Sequence, residues 1–461
     1  MTFIGPELPK HVTEATTKAK EGHWGRSGAA VHSNINTTNV STYKFNGKSH
    51  GKRVLLESDR KSVEERARDA ATASVDLKWN TQQRAAAGLR NLGNTCYLNS
   101  VLQCITHTPP LANLVLQRHH TSNCPLNPKP GCAFCLLENH ILRCLNLPNG
   151  QAAPTEIYAQ LKSFAKDFTH GRQEDAHELL RYAIEALHQS CLKQAGRKED
   201  GPAALGPSGQ YKVKRTVIEN MFGGVMQSQV KCLGCGFESN TNEPIMDLSL
   251  EVGGMGASVT RALGLLTAAE RLDGQNKYRC GGCKKLQAAS KRLHLLSAPN
   301  ILVVHLKRFD MTFAGKIQRH VAFEEILRMD PHMSPTSLDR SVVYGLYGVL
   351  VHSGMSANSG HYYCFAKDAT NRWHCFDDSC VRACSLQEVL QESAYMLFFM
   401  RTSEKKEPSS APPTPATVEP WTKRPATVEP WAPTEAEEGL STYQPVGPIG
   451  PQLPERGPGG P

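Results

Sequence analysis

Cys96 and His361, 265 positions apart, lie in the two stretches whose neighbours suit a thiol nucleophile and its base. In GLRNLGNTCYLNSVLQCITHTPPLANLV, Gly88 to Val115, the residues Leu98, Val101, Leu102 and Ile105 recur at the i, i+3, i+4, i+7 spacing of one helix face. Gly93 and Asn94 tolerate tight turns, so Cys96 is expected at the first helical turn, with Pro109 and Pro110 ending the helix. Unpaired amides and the positive end of the helix dipole favour thiolate over thiol there. The turn and the polar neighbours argue against burial of Cys96, whereas Cys104, two turns on, reads as core. Asn91, five residues before Cys96, is a candidate donor to an oxyanion.

The second stretch, Tyr344 to Val381, alternates aromatic and β-branched runs with Gly and Ser turns, the pattern of hairpins that hold a base rigidly. His361 follows Gly360, whose missing side chain would let a substrate backbone pass close to the imidazole. Asp377, sixteen positions later, follows the strand-like run RWHCF, and antiparallel pairing would bring its carboxylate to the ring to fix the tautomer. Asp378, directly after it, is the understudy, and position alone does not decide which carboxylate contacts the ring. Cys375, Cys380 and Cys384 cluster nearby and read as strand packing.

Two C-x-x-C knuckles, Cys232 with Cys235 and Cys280 with Cys283, supply four thiolates, a set that suits tetrahedral zinc better than a redox pair. The 44 residues between the knuckles exceed a compact ribbon, so they predict an elongated β-finger with metal at its tip, built from strands such as Pro244 to Val252. Cys124, Cys132 and Cys135, beside His119 and His120, also have ligand-like spacing, against which stands a plain Pro-rich loop. In GRQEDAHELLRYAIEALHQ, Gly171 to Gln189, the residues Leu180, Ile184 and Leu187 share one face of an amphipathic helix and leave Asp175 and Glu178 free to point elsewhere. NILVVHLKRF, Asn300 to Phe309, reads as a buried strand with a structural charged end.

Asn91 and the run from Gly93 to Ser100, with Gly88, Leu89 and Gln103, closely resemble the cysteine box of the ubiquitin-specific proteases, the large papain-like deubiquitinase family. The runs Gly360 to Tyr363 and Trp373 to Asp378 resemble that family's histidine box. The resemblance implies an α+β fold with a helical thumb carrying Cys96, a β palm carrying His361 and Asp377, and fingers at about 215–295. It implies a four-cysteine structural zinc site in the fingers that grip ubiquitin's globular body, and no catalytic cofactor. Gln173, Asp175 and Glu178 match the family's QxDxxE helix, whose carboxylates meet basic substrate residues, and Gly360 and Tyr362 join them as implied substrate contacts. The implied activity is thiol-dependent hydrolysis of the isopeptide or peptide bond at ubiquitin's C-terminal Gly, removing ubiquitin from its conjugates. A catalytically silent ubiquitin-binding scaffold is the alternative.

These stretches fall inside residues 88–401 of a 461-residue chain. Residues 1–87 are mostly polar and read as an extension without its own fold, apart from a short helix in Arg66 to Lys78. Residues 402–461 are Pro-rich, repeat PATVEPW at Pro415 to Trp421 and Pro425 to Trp431, and are expected to stay extended, as a plain linker first and as a carrier of linear docking motifs second. No apolar run approaches the roughly 18 residues of a membrane span, and the opening MTFIGPELPK lacks the order of an export signal. No membrane partner and an intracellular place, nucleus or cytoplasm or both, are therefore expected. Fifteen Cys at this density suit reduced thiols. A net charge of +9 with two C-x-x-C pairs raises a zinc-dependent nucleic-acid binder, but no interleaved aromatic and basic stripe supports one.

Overall fold

The computed structural model describes residues 75–125, 131–197, 215–254, 256–310, 315–339, 341–356 and 359–403. The chain divides into two units, Met1–Ser62 and Val63–Pro461, and all described residues lie in the second. The PATVEPW repeats and most of the expected Arg66 to Lys78 helix fall outside the described residues, and 75–78 are not helical.

The thumb is built on the helices α1 Cys96–Thr106, α2 Pro109–Leu116, α3 Ala133–Leu145 and α4 Ala176–Gln194, with shorter helices packed beside them. α1 begins at Cys96, the expected turn. Leu98, Val101, Leu102 and Ile105 are buried, each such side chain contributing about 1.5–3 kcal/mol. Pro109 does more than end α1, because it takes the first position of α2, where a missing N–H costs nothing. α4 starts at Ala176 rather than Gly171, because the Asp175 carboxylate caps it by accepting from the amides of His177 and Glu178.

Seven strands run in an ordered sheet behind the helices: β3 Leu248–Glu251, β5 Ile301–Lys307, β6 Val343–Ser356, β7 Ser359–Lys367, β8 Trp373–Asp377, β9 Cys380–Ala383 and β10 Ala394–Arg401. Their spatial order is β9-β8-β7-β6-β10-β5-β3, with a short strand Ile326–Arg328 added against β6. Alternation decides the two cores. Tyr362, Cys364, Ala366 and Phe398 face the helices, while Phe365, Leu397 and Phe399 face a second cluster on the opposite side. β5 lies between β10 and β3, as buried as NILVVHLKRF suggests. Arg308 at its end is 1% exposed and gives its guanidinium to the carbonyls of Ala394, Ile317 and Arg319. That is the structural role expected of it.

The fingers are a ribbon of β1 Gly224–Cys232 and β2 Glu238–Ile245, joined by β4 Ala289–Ser297. Only the ends of the 44-residue connection stay in this ribbon. The stretch expected as one strand from Pro244 to Val252 splits, and Leu248–Glu251 crosses to pair in parallel with β5. The helix Val259–Leu266 follows it into the second core, because Leu248, Leu250, Val252, Val259 and Leu263 find apolar partners there.

Residues 75–87 are not a free extension. Val75 and Trp79 pack on the main core, Ala85 to Ala87 are buried, and Asn113 takes the Lys78 carbonyl at 2.6 Å. The folded body therefore begins earlier than Gly88.

Candidate active site

Cys96 is the first residue of α1, and Thr95 before it offers no side-chain cap. The Thr95 hydroxyl is turned to the incoming loop, accepting from the Leu92 amide at 2.8 Å. The first amides of α1 are thus left without a side-chain acceptor, a setting that favours an anion. The residue is only 2% exposed, contrary to the expectation drawn from its polar neighbours. The reason is tertiary: α1 packs directly on β7 and slides Cys96 beneath the palm's imidazole.

His361 lies on β7, opposite Ser353 of β6. Its Nε2 meets Asp377 Oδ1 at 2.6 Å, which leaves Nδ1 as the nitrogen for Cys96. The hydrogen bond to Cys96 is the main influence raising the imidazole pKa to about 9; partial burial opposes it and Asp377 adds to it. Asp377, not Asp378, orients the ring. The β7–β8 register pairs Cys364 with Phe376, so Asp377 extends one residue further along β8 toward His361.

Asp378 turns the other way, at a positive φ of 47° in the β8–β9 turn. Its carboxylate accepts from Asn91 Nδ2 at 2.9 Å and from Asn99 Nδ2 at 2.7 Å. Its carbonyl accepts from the Leu89 amide at 2.7 Å. Gly88 permits this approach, since a Cβ there would stand 2.3 Å from the Ser379 carbonyl oxygen. Asn91 is held from its other end too, its Oδ1 accepting from the amides of Gly93 and Thr95 at 2.9 and 3.1 Å. Asn99 is the residue that reading for chemistry missed. It sits three positions after Cys96, almost one helical turn on, and that spacing was the available signal.

The expected substrate contacts divide. Gln173 exchanges two hydrogen bonds with the Gly360 backbone, at 2.7 and 2.9 Å, and so braces the residue before His361. Asp175 is not free: Oδ1 caps α4 and Oδ2 accepts from Tyr395 at 2.6 Å. Tyr362 is 1% exposed and packs in the core against His352. The room beside Gly360 is likewise filled from within, because a Cβ there would fall 2.2 Å from His352 Nε2. Burial pushes the His352 pKa down to about 4, so that ring stays neutral. Glu178 alone of the acidic pair is exposed, and its carboxylate accepts from the Tyr182 hydroxyl at 3.3 Å.

At the end of the fingers, one sulfur from each of Cys232, Cys235, Cys280 and Cys283 lies within 4.8 Å of the others. Cys235 and Cys280 are 3.6 Å apart. Sulfurs arranged tetrahedrally about 2.3 Å from one zinc ion stand about 3.8 Å from one another, so this donor set fits the metal. Both knuckles close alike. Gly236 N bonds the Cys232 carbonyl and Lys284 N the Cys280 carbonyl, with positive φ at Gly236 and Lys284. Cys375, by contrast, is packed in the second core with Cys384 against it, and Cys380 is exposed.

An α+β body with a thiol, an imidazole and a carboxylate in line across a helix–sheet cleft defines a papain-like cysteine hydrolase arrangement. Residues 87–399 match the family model described as ubiquitin carboxyl-terminal hydrolase. Ubiquitin carboxyl-terminal hydrolase 25 of Arabidopsis thaliana is 48% identical over 328 residues, 70% of this chain and 48% of that protein. Ubiquitin carboxyl-terminal hydrolase 42 of Homo sapiens is 37% identical over 332 residues, 72% of this chain and 24% of that protein. The chain thus spans about half or less of the length of these two relatives. Among solved structures, the SAGA Ubp8 DUB module bound to ubiquitin aldehyde aligns with a TM-score of 0.61 and 26% identity over 72% of each chain. The same module bound to monoubiquitin aligns with a TM-score of 0.60 and 26% identity over 77% of each. The chain belongs to the ubiquitin carboxyl-terminal hydrolase family, with the thumb, palm and fingers of its ubiquitin-specific protease type.

Proposed function

We propose that this chain is a thiol-dependent deubiquitinase acting on ubiquitin-conjugated proteins. The observation that carries the reading is the His361 ring held between Asp377 at 2.6 Å and the Cys96 thiol. Cys96 thiolate attacks the carbonyl carbon of ubiquitin's terminal Gly. The oxygen takes up the electron pair and is met by the Cys96 amide and Asn91 Nδ2. His361, protonated at Nδ1, gives that proton to the departing lysine nitrogen as the C–N bond breaks. A water molecule, deprotonated by the same nitrogen, then opens the thioester and restores the thiolate. Asp377 keeps the imidazolium in place through both steps. Asp378 and Asn99 act at one remove, fixing Asn91 beside the reacting carbonyl.

The exposed Glu178 suits the arginines of ubiquitin's C-terminal tail. Cys232, Cys235, Cys280 and Cys283 would hold structural zinc, which would set the end of the fingers against ubiquitin's globular body. Fifteen cysteines without a disulfide suit a reducing compartment, so nucleus or cytoplasm belongs to the same proposal. The repeated PATVEPW tail is assigned to linear-motif partners.

The test is hydrolysis of ubiquitin carrying a fluorogenic C-terminal amide by the full chain. Turnover is expected from the native protein and none from Cys96→Ala, which should still bind ubiquitin. Full activity in Cys96→Ala would refute the assignment.

A further inference from the structure

A file of polar residues runs along α1 behind the nucleophile. Thr95, Asn99, Gln103 and His107 stand four positions apart, on one face of the helix that Cys96 begins, and all four are buried. Buried polar groups need partners, and these four find them in a single segment. The Thr95 amide donates to Asn91 Oδ1 at 3.1 Å, Asn99 Nδ2 to the Leu89 carbonyl at 3.1 Å, and Gln103 Nε2 to the Ala87 carbonyl at 2.7 Å, while His107 Nε2 accepts from the Ala86 amide at 3.3 Å. Residues 86–91 thus run antiparallel along the helix, from its last turn back to Asn91 beside its first.

We propose that Gln103 and His107, which touch no reacting atom, are positioning residues for the oxyanion donor Asn91. They set the segment that leads to Asn91 against the same helix that carries Cys96. His107 lies roughly 16 Å along the helix from Cys96 at 1.5 Å per residue, so the segment is referenced to α1 at both ends. The register then passes to the cleft through Leu89, whose amide donates to the Asp378 carbonyl at 2.7 Å while the Asp378 carboxylate accepts from Asn91.

His107 is fitted to this place. Its Nδ1 lies 2.8 Å from the Gln103 carbonyl, which can only accept, so Nδ1 carries the proton and Nε2 is the acceptor. Burial pushes its pKa down to about 4, which keeps the ring neutral. The ring packs on Phe376 of β8 at 4.7 Å. The amides of Ala87, Gly88, Leu89 and Arg90 go to the backbone carbonyls of Cys144, Gly150, Asp378 and Ala152, whereas the amide of Ala86 goes to this side chain. A substitution at His107 therefore frees the segment at its upstream end without breaking a backbone pairing.

The experiment is a double-mutant cycle in the full chain on ubiquitin carrying a fluorogenic C-terminal amide, with kcat counted per site titrated by a ubiquitin electrophile. Gln103→Met and His107→Phe roughly keep the side-chain volume and remove the hydrogen bond. Each should lower kcat about tenfold with KM within about twofold of native, as displacement of a donor does without loss of binding. In an Asn91→Ala background neither should lower kcat further, because the group they position is gone. His107→Gln, whose Oε1 can take the Ala86 amide, should recover most of the loss. Native kcat in both variants, an equal fold loss in both backgrounds, or a His107→Gln no faster than His107→Phe overturns the inference. Equal losses are what a general loosening of the thumb would give. If one variant fails to fold, the other runs the cycle alone. The inference rests on Asn91 serving the oxyanion as proposed above: native kcat in Asn91→Ala would overturn that assignment and this one with it, whereas equal losses overturn this one only.

Discussion

Cys96 in the cleft and Cys232, Cys235, Cys280 and Cys283 at the end of the fingers all sit beside tight turns, and all come from stretches rich in Gly and Asn. What surrounds them differs. The cleft gives its one thiol an imidazole, and behind that imidazole a carboxylate at 2.6 Å, with Asn91, Asn99 and Asp378 bonding one another across nearly 290 positions of sequence. At the fingers the thiols have each other, plus a backbone amide from Gly282 on Cys280 at 3.3 Å. A thiol with a proton acceptor beside it is prepared to react, whereas four thiols without one need a cation. The cleft is assembled from distant segments and the knuckles from local turns, so chemistry and scaffolding should respond separately to substitution.

Asp377→Asn is the largest expected separation of the two short of removing Cys96 itself. It leaves the fingers untouched and should lower kcat by about a hundredfold or more, since an amide cannot hold the imidazolium as the carboxylate does. The pH profile sharpens the point. The His361 pKa is raised to about 9, by Cys96 first and Asp377 after it, so the imidazolium persists through neutrality. kcat/KM should therefore fall as pH rises through about 9, and in Asp377→Asn that fall should move to lower pH. A basic limb that does not move would deny Asp377 its part in holding the proton.

Asn91→Ala is next. Losing one oxyanion donor costs about 10²- to 10³-fold in kcat, and because Asn91 is exposed the thermal midpoint should change little. Asp378→Ala should approach the same loss by freeing Asn91, with a lower thermal midpoint because buried Asn99 also loses one of its two acceptors and keeps only the Leu89 carbonyl. If Asp378→Ala leaves kcat intact, Asn91 does not depend on that anchor.

The smallest effect on chemistry is expected at the other end of the comparison. Cys235→Ser should lower the melting temperature and raise KM for ubiquitin substrates while kcat stays within a small factor of the native value, read from full saturation curves. A collapse of kcat with KM unchanged would mean that the fingers and the cleft are not separable.

How far the sequence reaches follows the same division. The start of α1 at Cys96, the knuckles and the strand at Asn300 to Phe309 rest on local turn chemistry and periodicity, and those are legible. The choice between Asp377 and Asp378 is not, because adjacent strand residues point to opposite faces and the decision lies in the β7–β8 register and the left-handed turn at Asp378. Burial of Cys96 depends on α1 meeting β7, a long-range packing event. The family resemblance implies Gln173 and Asp175 as substrate contacts, and the helix periodicity does not show what else holds them. In the fold, the helix claims Asp175 as its cap and the strand before His361 claims the Gln173 amide. The finger overreached for the same reason: Leu248 and Leu250 pair with the palm, and apolar alternation alone does not say which sheet a strand joins.

The most direct measurement uses ubiquitin bearing a C-terminal electrophile, incubated with the full chain at neutral pH, with the adduct mapped by peptide mass spectrometry. One adduct is expected, on Cys96, absent in Cys96→Ala and slower to form in Asp377→Asn. Adducts spread over the other thiols, or none from a chain that still binds ubiquitin, would contradict the pairing of Cys96 with His361 as the reactive centre.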